Sequence, residues 1–194
     1  QNWDPACVLQ EDNPDPDVND NAVSPKIAVN SMGQALAIWV SGSEVVANFF
    51  DPNTLWSGNN ILNSGLNVSV ALNPEISLDD NANAIAVWAQ RLEADSQPNI
   101  SASHFTLANA WGPVLVLETS QLGESRYPQI VMNNNHAIAL WTAYDGVAYS
   151  LYTSRYDATN QWESPVLMES NDFNIFQSTD GGVSIAMNDG GNSI

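Results

Sequence analysis

Apolar and polar residues alternate along most of the chain in short runs that turn residues separate. Three such stretches align with one another: KIAVNSMGQALAIWV (26–40), EISLDDNANAIAVWA (75–89) and QIVMNNNHAIALWT (129–142). Each consists of a short apolar run, a turn rich in Asn, Asp or Gly, and an alternating run that closes on Trp. Alternation with a period of two indicates β-strands, and no stretch has the periodicity and caps of a long helix.

These stretches belong to a repeat of about 50 residues. The closing residues Trp39, Trp88 and Trp141 are 49 and 53 residues apart. A second tryptophan and a strand-like piece follow in each unit, with the tryptophans at Trp56, Trp111 and Trp162. Four short antiparallel strands per repeat are typical of β-propeller blades. The sequence therefore predicts an all-β fold, a β-propeller of four-stranded antiparallel blades, with the closing tryptophans in the core between blades.

The repeat also predicts the organisation of the chain as a single propeller segment. Three complete blades are expected at 25–73, 74–127 and 128–181. Residues 1–10 match the outer strand of a preceding blade, residues 11–24 form an acidic connection, and residues 182–194 match the first strand and turn of a following blade. Because closed propellers have about 4–8 blades, we expect a larger propeller, or a second chain that completes the blades.

Three segments share one hairpin frame: FFDPNTLW (49–56), HFTLANAW (104–111) and RYDATNQW (155–162). The frame resembles the Asp box of bacterial sialidase-type repeats, Ser-x-Asp-x-Gly-x-Thr-Trp. Asn53 and Thr159 stand at the glycine position of that motif, and Thr106 replaces the Asp in the middle segment. The resemblance implies a structural hairpin between the third and fourth strands, on the face opposite the family's active site. Its members here are Asp51, Trp56, Thr106, Trp111, Asp157 and Trp162.

Sialidase-type enzymes bind a carboxylate with three arginines, and this chain has three, Arg91, Arg126 and Arg155. The segment SRYP (125–128) resembles the Arg-Ile-Pro of that family. Blade order places Arg91 and Arg126 on one face and Arg155 toward the other, so the three are not expected to meet at one carboxylate. This favours a chain that is not catalytic alone, while a fragment of a sialidase-like glycoside hydrolase stays open as an alternative.

The charge is strongly negative, with 22 acidic against 4 basic residues and a formal net charge of −18. Such a surface disfavours nucleic acid and anionic membranes and suits divalent cations. The acidic connection is interpreted first as a solvated acidic linker; because it also supplies oxygen ligands at close spacing, a calcium site is the alternative. The candidate ligands are Asp15, Asp17, Asn19 and Asp20.

The function expected from these features is binding or scaffolding of glycan or protein ligands. The ligand-binding candidates lie in loops of one face: Arg91, Arg126, Tyr144 and Asp145. Propellers of the resembled kind are extracellular, which implies a secreted or cell-surface protein without membrane insertion. A structural subunit of a surface fibre or layer, assembled through open blade edges, is a second alternative. The single cysteine, Cys7, allows no intrachain disulfide and is expected to be buried in an apolar strand.

Overall fold

The computed structural model describes residues 7–9, 21–92, 97–118, 123–159, 161–169 and 184–187. Their regular structure is all β and forms three antiparallel sheets of consecutive strands. The predicted calcium ligands Asp15, Asp17, Asn19 and Asp20, and most of the two predicted end pieces, lie outside the described residues.

The three sheets are the three predicted blades. The first has the order β1 (Ala22–Val29), β2 (Ala35–Ser41), β3 (Glu44–Asp51), β4 (Leu55–Ile61). The second contains β5 (Val68–Leu78), β6 (Ala84–Leu92), β7 (Asn99–Thr106), β8 (Ala110–Trp111) and β9 (Leu115–Val116). The third contains β10 (Ser125–Asn133), β11 (His136–Tyr144), β12 (Tyr149–Asp157), β13 (Gln161–Trp162) and β14 (Val166–Leu167).

The fourth strand of a blade is continuous in the first blade and divided in the other two. In the second blade β8 and β9 both pair with β7, and in the third β13 and β14 both pair with β12. Pro113 and Pro165 lie in the two gaps. Proline has no N–H to donate, so it interrupts the ladder on the outer edge of the sheet.

Each first strand contains a bulge at a residue that precedes proline. The residues are Ser24, Asn73 and Tyr127, with φ of 53°, 50° and 53°. The strand register shifts at the same points, next to Pro25, Pro74 and Pro128. A left-handed residue followed by proline therefore lies at each bulge and bends the first strand.

The first strands extend further toward the chain's N-terminus than the predicted blade limits. The expected boundaries 73/74 and 127/128 fall at the bulges inside β5 and β10, and the sheets begin at Val68 and Ser125. Pairing continues on both sides of Pro74 and Pro128, because the bulge changes the register without ending the ladder.

The hydrophobic core lies between neighbouring blades. One cluster joins residues of the first two blades around Trp88, and a second joins the second and third blades around Trp141. Trp88 and Trp141 are 0 % and 1 % exposed, which confirms the predicted inter-blade core for these two residues. Trp39 is 4 % exposed but belongs to neither of these clusters. Trp39 packs with Leu9 on the outer side of the first blade. The prediction for Cys7 was wrong, because its thiol is exposed.

The antiparallel order gives the blades two edges that carry different loops. We call the edge where second strands end and first strands begin the entry face; it includes Ser41, Leu92 and Tyr144. The opposite edge, where third and fourth strands are joined at Asp51, Thr106 and Asp157, is the hairpin face. No helix in the described ranges is long and apolar enough to cross a membrane.

Candidate functional site

The candidate site on the entry face of the third blade is a chain of three polar side chains. Glu124 lies just before β10 and forms an ion pair with Arg126 inside that strand. The hydroxyl of Tyr149, at the start of β12, donates to the other carboxylate oxygen of Glu124 at 2.7 Å. The buried Nε of Arg126 has no hydrogen-bond partner among the described residues. Glu124 therefore orients the guanidinium while one of its donors stays unused.

The pKa values of this cluster follow from its contacts. Burial raises the pKa of Glu124, but the hydrogen bonds from Tyr149 and Arg126 outweigh burial and lower it below the ordinary value. The hydrogen bond to Glu124 raises the pKa of Arg126 and that of Tyr149. The cluster therefore carries a carboxylate, a guanidinium and a neutral phenol at pH 7.

Tyr144 and Asp145 lie beside this cluster and shape the loop between β11 and β12. The carboxylate of Asp145 accepts hydrogen bonds from the backbone N–H groups of Val147 and Ala148, each at 2.9 Å. These bonds lower the pKa of Asp145. The ring of Tyr144 lies 5.5 Å from that of Tyr149, and 38 % of Tyr144 is exposed. Asp145 thus serves the turn, and Tyr144 offers an accessible aromatic surface.

Arg91 lies on the same face but in the second blade. Its Nε donates to Ser69 Oγ at 3.1 Å, and this hydroxyl donates to the backbone carbonyl of Arg91 at 3.1 Å. The third-blade site therefore gathers Arg126, Tyr144 and Asp145, while Arg91 is held within its own blade. Arg155 is exposed on β12, opposite Ile138 of β11, and close to the hairpin face.

A buried carboxyl group, Glu118, lies next to the site between the second and third blades. It accepts a hydrogen bond from the backbone N–H of Ile100 at 2.8 Å and one from Ser125 Oγ at 2.7 Å. Burial raises the pKa of Glu118 to about 7, and the two hydrogen bonds only partly oppose that rise. Glu118 also contributes to the raised pKa of Tyr152, behind burial and the charges of Asp145 and Glu169.

Glu118 belongs to a feature that recurs in each blade. The second residue after the outer strand of each blade accepts a hydrogen bond from a backbone N–H near the start of the third strand: Asn63 from Val45 at 3.0 Å, Glu118 from Ile100 at 2.8 Å and Glu169 from Leu151 at 3.0 Å. The first blade uses a neutral amide and the other two use carboxylates. A carboxylate is not needed for this contact, so its use in two blades adds ionisable groups to the entry face.

On the hairpin face the residues of the shared hairpin frame make similar local contacts in the three blades. Asp51 accepts a hydrogen bond from the Asn53 N–H at 2.9 Å, and Asp157 one from the Thr159 N–H at 2.7 Å. The substituted Thr106 accepts one from the Asn109 N–H at 3.1 Å. In the three hairpins the ring before this position lies 5.2, 5.3 and 5.4 Å from Trp56, Trp111 and Trp162. The frame acts as a structural hairpin in all three blades.

Some polar residues that matter here were not singled out from the sequence. Glu118, Glu124 and Tyr149 lie in loops or at strand ends that carry no motif. Only the fold brings Glu124 to Arg126 and Tyr149, and Glu118 to Ser125. The sequence held one signal for Glu118: it stands at the same distance after a strand-like piece as Asn63 and Glu169. In the described part of the chain, no group of three or more His, Cys, Asp or Glu residues is arranged to hold a metal ion.

No protein-family profile and no curated protein sequence matches the chain. Solved structures do match its fold. The Hadza microbial sialidase Hz136 matches with a TM-score of 0.53 at 9 % identity, over 71 % of this chain and 36 % of that one. A PL25 ulvan lyase matches with 0.50 at 10 % identity, over 73 % and 42 %. An α-L-arabinanase of Penicillium chrysogenum matches with 0.50 at 10 % identity, over 79 % and 51 %.

These likenesses show the fold of the chain, a β-propeller of four-stranded antiparallel blades. The chain spans between about a third and a half of the length of these three structures. Sequence identities near 10 % carry no residue of those enzymes over to this chain.

Proposed function

We propose that the chain is part of an extracellular β-propeller that binds glycans through the entry face of its third blade. The observation that carries the proposal is the arrangement of Glu124, Arg126 and Tyr149, in which a guanidinium is held in place by Glu124 while 41 % of the Arg126 side chain stays exposed. Fixed polar groups beside an aromatic surface such as Tyr144 match the alternating hydroxyl and C–H surfaces of sugars.

The fold neighbours support this choice of ligand. They are a sialidase, a polysaccharide lyase and an arabinanase that was solved with arabinobiose. One fold hosts many functions, so this support is analogy, and the chemistry of the site has to carry the proposal. Protein ligands use the same polar contacts and are a separate outcome of the test.

The experiment is a calorimetric binding measurement with sialyllactose, a uronic-acid oligosaccharide and arabinobiose as probes. Arg126→Gln is expected to weaken binding at least about tenfold, since charge-assisted hydrogen bonds are the strong ones in such sites. Arg155→Gln is the matched control, because it removes the same charge at the other end of the third blade and should leave affinity within about twofold. Equal losses in the two variants would mean that net charge, and not this site, governs binding.

A second candidate function, part of a glycoside hydrolase, is favoured by one observation. Glu118 has a pKa near 7 while that of Glu124 is lowered, and hydrolysis of glycosides uses one protonated and one ionised carboxyl group. Release of 4-methylumbelliferone from a panel of its glycosides tests this. Activity that Glu118→Gln abolishes would support the hydrolase, and binding without turnover would support the module.

A further inference from the structure

A groove of about 200 Å³ lies between the second and third blades near the hairpin face. One wall is the hairpin that joins β7 to β8, and the other is the hairpin that joins β12 to β13. It lies at the opposite end of the blades from the entry face. The lining residues that matter here are Ser103, His104, Asn109, Tyr156, Gln161 and Trp162.

The internal repeat supplies a comparison for this groove. At the junction of the first and second blades, the two corresponding positions are Phe49 and Phe105, with ring centroids 5.3 Å apart. At the junction of the second and third blades they are His104 and Tyr156, also 5.3 Å apart. The fold is therefore compatible with an apolar pair at this position, and the second junction has two hydrogen-bonding rings instead.

The polar pair is costly for the folded chain. Tyr156 Oη and His104 Nδ1 are 3.3 Å apart, and the buried His104 Nε2 has no hydrogen-bond partner among the described residues. Burial lowers the pKa of His104, so the ring is neutral at pH 7, and the charge of Asp79 opposes this only in part. A buried polar atom without a partner destabilises the fold, and the Phe49–Phe105 pair shows that the repeat has an alternative without that cost.

The lining chemistry indicates the class of ligand. None of the described residues that line the groove is charged. Neutral hydrogen-bonding groups from Asn109, Gln161 and the His104–Tyr156 pair face apolar surface from Trp162 and Leu115. A volume of about 200 Å³ is below the roughly 300–1,000 Å³ of sites for drug-sized molecules, and it suits a single ring. A metal ion or an anion would find no counter-charge here.

We propose that this groove binds one neutral sugar residue, whose hydroxyls bond to the polar wall and whose C–H face lies on Trp162. The site is separate from the proposed glycan site on the entry face. With Tyr156 donating to Nδ1, the neutral imidazole of His104 carries its proton on Nε2 and offers it to a sugar hydroxyl after a small ring rotation.

The test is NMR of the chain with glucose, galactose, mannose, arabinose and rhamnose as probes. The chain has two histidines, so the imidazole signals of His104 can be read against those of the exposed His136. At least one sugar is expected to shift His104 and to leave His136 unchanged, with a Kd of about 1–10 mM, a weak affinity of roughly −3 to −4 kcal/mol. Unchanged His104 signals with every probe would overturn the proposal.

The decisive variant is the double substitution His104→Phe with Tyr156→Phe, which recreates the Phe49–Phe105 pair. It should be at least as stable as the original chain and should lose saturation transfer to the sugar. A less stable double variant, or one that still binds, would contradict the proposal. Asn109→Ala, an exposed change in the wall, should weaken binding without affecting the fold.

Arg126→Gln separates this proposal from the entry-face function. It should leave the His104 response intact, because Arg126 lies at the other end of the blades. The expected result is that Arg126→Gln loses glycan binding on the entry face and keeps the His104 response, which would support two separate sites. Loss of the His104 response in Arg126→Gln would place the sugar on the entry face and overturn the groove.

Discussion

The side-chain amide of Asn30, in the first blade, donates a hydrogen bond to the backbone carbonyl of Asp79, in the second, at 3.1 Å. The carboxylate of Asp79 in turn accepts a bond from the backbone N–H of Asn135, in the third blade, at 3.2 Å. Asp79 is 3 % exposed and also holds its own turn through the N–H groups of Asn81 and Asn83. One buried residue thus joins three blades at their inner turns, through its backbone carbonyl to the first blade and through its carboxylate to the third.

Removing this carboxylate is expected to destabilise the second-blade turn and its contact with the third blade. Asp79→Ala leaves the part-buried N–H groups of Asn81, Asn83 and Asn135 without this acceptor and should lower the free energy of unfolding by about 2–4 kcal/mol. Urea denaturation followed by circular dichroism measures this. Asp80→Ala is the control, because Asp80 is exposed and accepts hydrogen bonds from the backbone and side chain of Ser31, so its loss should change stability little. Equal effects would show that the inter-blade bonds of Asp79 contribute nothing.

The hairpin between β7 and β8 gives a prediction about backbone strain. Ala110 has a φ of 54°, a conformation that disfavours side chains with a Cβ, and the exposed Ala108 in the same turn has no positive φ. Ala110→Gly should therefore stabilise the chain by about 0.5–1 kcal/mol, and Ala108→Gly should destabilise it by a similar amount. Thermal unfolding of the two variants measures both changes in stability, which should have opposite signs. Changes of the same sign would show that the backbone at Ala110 is not strained.

The blade pattern was predictable because each of its signals is local. Alternation around Trp39, Trp88 and Trp141, and the spacing to the second tryptophans, follow from the pleat of a strand and from one hairpin. The left-handed residues before proline were harder to predict from the sequence, because the bulge at Tyr127 depends on how β10 pairs with β11. The sequence contains the dipeptides Ser-Pro, Asn-Pro and Tyr-Pro, and the blade boundaries were placed at them.

The candidate site was predictable only in part. Arg126, Tyr144 and Asp145 were predicted as ligand-binding candidates because loop order places them on one face. Glu124 and Tyr149 are 25 residues apart, and their contact arises from the pairing of three strands. The different roles of Phe49 and His104 at corresponding positions could be seen by aligning the hairpins, but the groove beside His104 required the packing of two blades.

Two tryptophans at corresponding positions are expected to differ in their contribution to stability. Trp88 and Trp141 are both buried, and Trp88 Nε1 donates to Gln90 Oε1 at 2.8 Å, while Trp141 Nε1 has no partner among the described residues. Substitution by Phe removes similar volumes, but in Trp88→Phe it also leaves the buried Gln90 oxygen unpaired. Trp88→Phe should therefore cost about 1 kcal/mol more than Trp141→Phe. Urea titrations read by circular dichroism compare the two, and an equal or reversed cost would count against this hydrogen bond.

Glu118 gives a prediction about pH. Its pKa is raised from 4.5 to about 7 in the folded chain, so between these values the folded state binds the proton more readily than the unfolded state. The stabilisation of the folded state by protonation of Glu118 is fully present below pH 4.5. It is lost as the pH rises through about 7. At pH 8 the ionised, buried carboxylate should cost about 2–3 kcal/mol relative to its neutral form.

Glu118→Gln keeps an acceptor for the Ile100 N–H without ionising, so this variant should lose less stability than the original chain between pH 5 and pH 8. Urea denaturation at a series of pH values gives both curves. Glu124→Gln serves as the control, because the pKa of Glu124 is shifted in the opposite direction. This variant should show the same loss of stability between pH 5 and pH 8 as the original chain. Parallel curves for the original chain and Glu118→Gln would mean that Glu118 is already ionised at neutral pH, which would also remove the observation that favours a glycoside hydrolase.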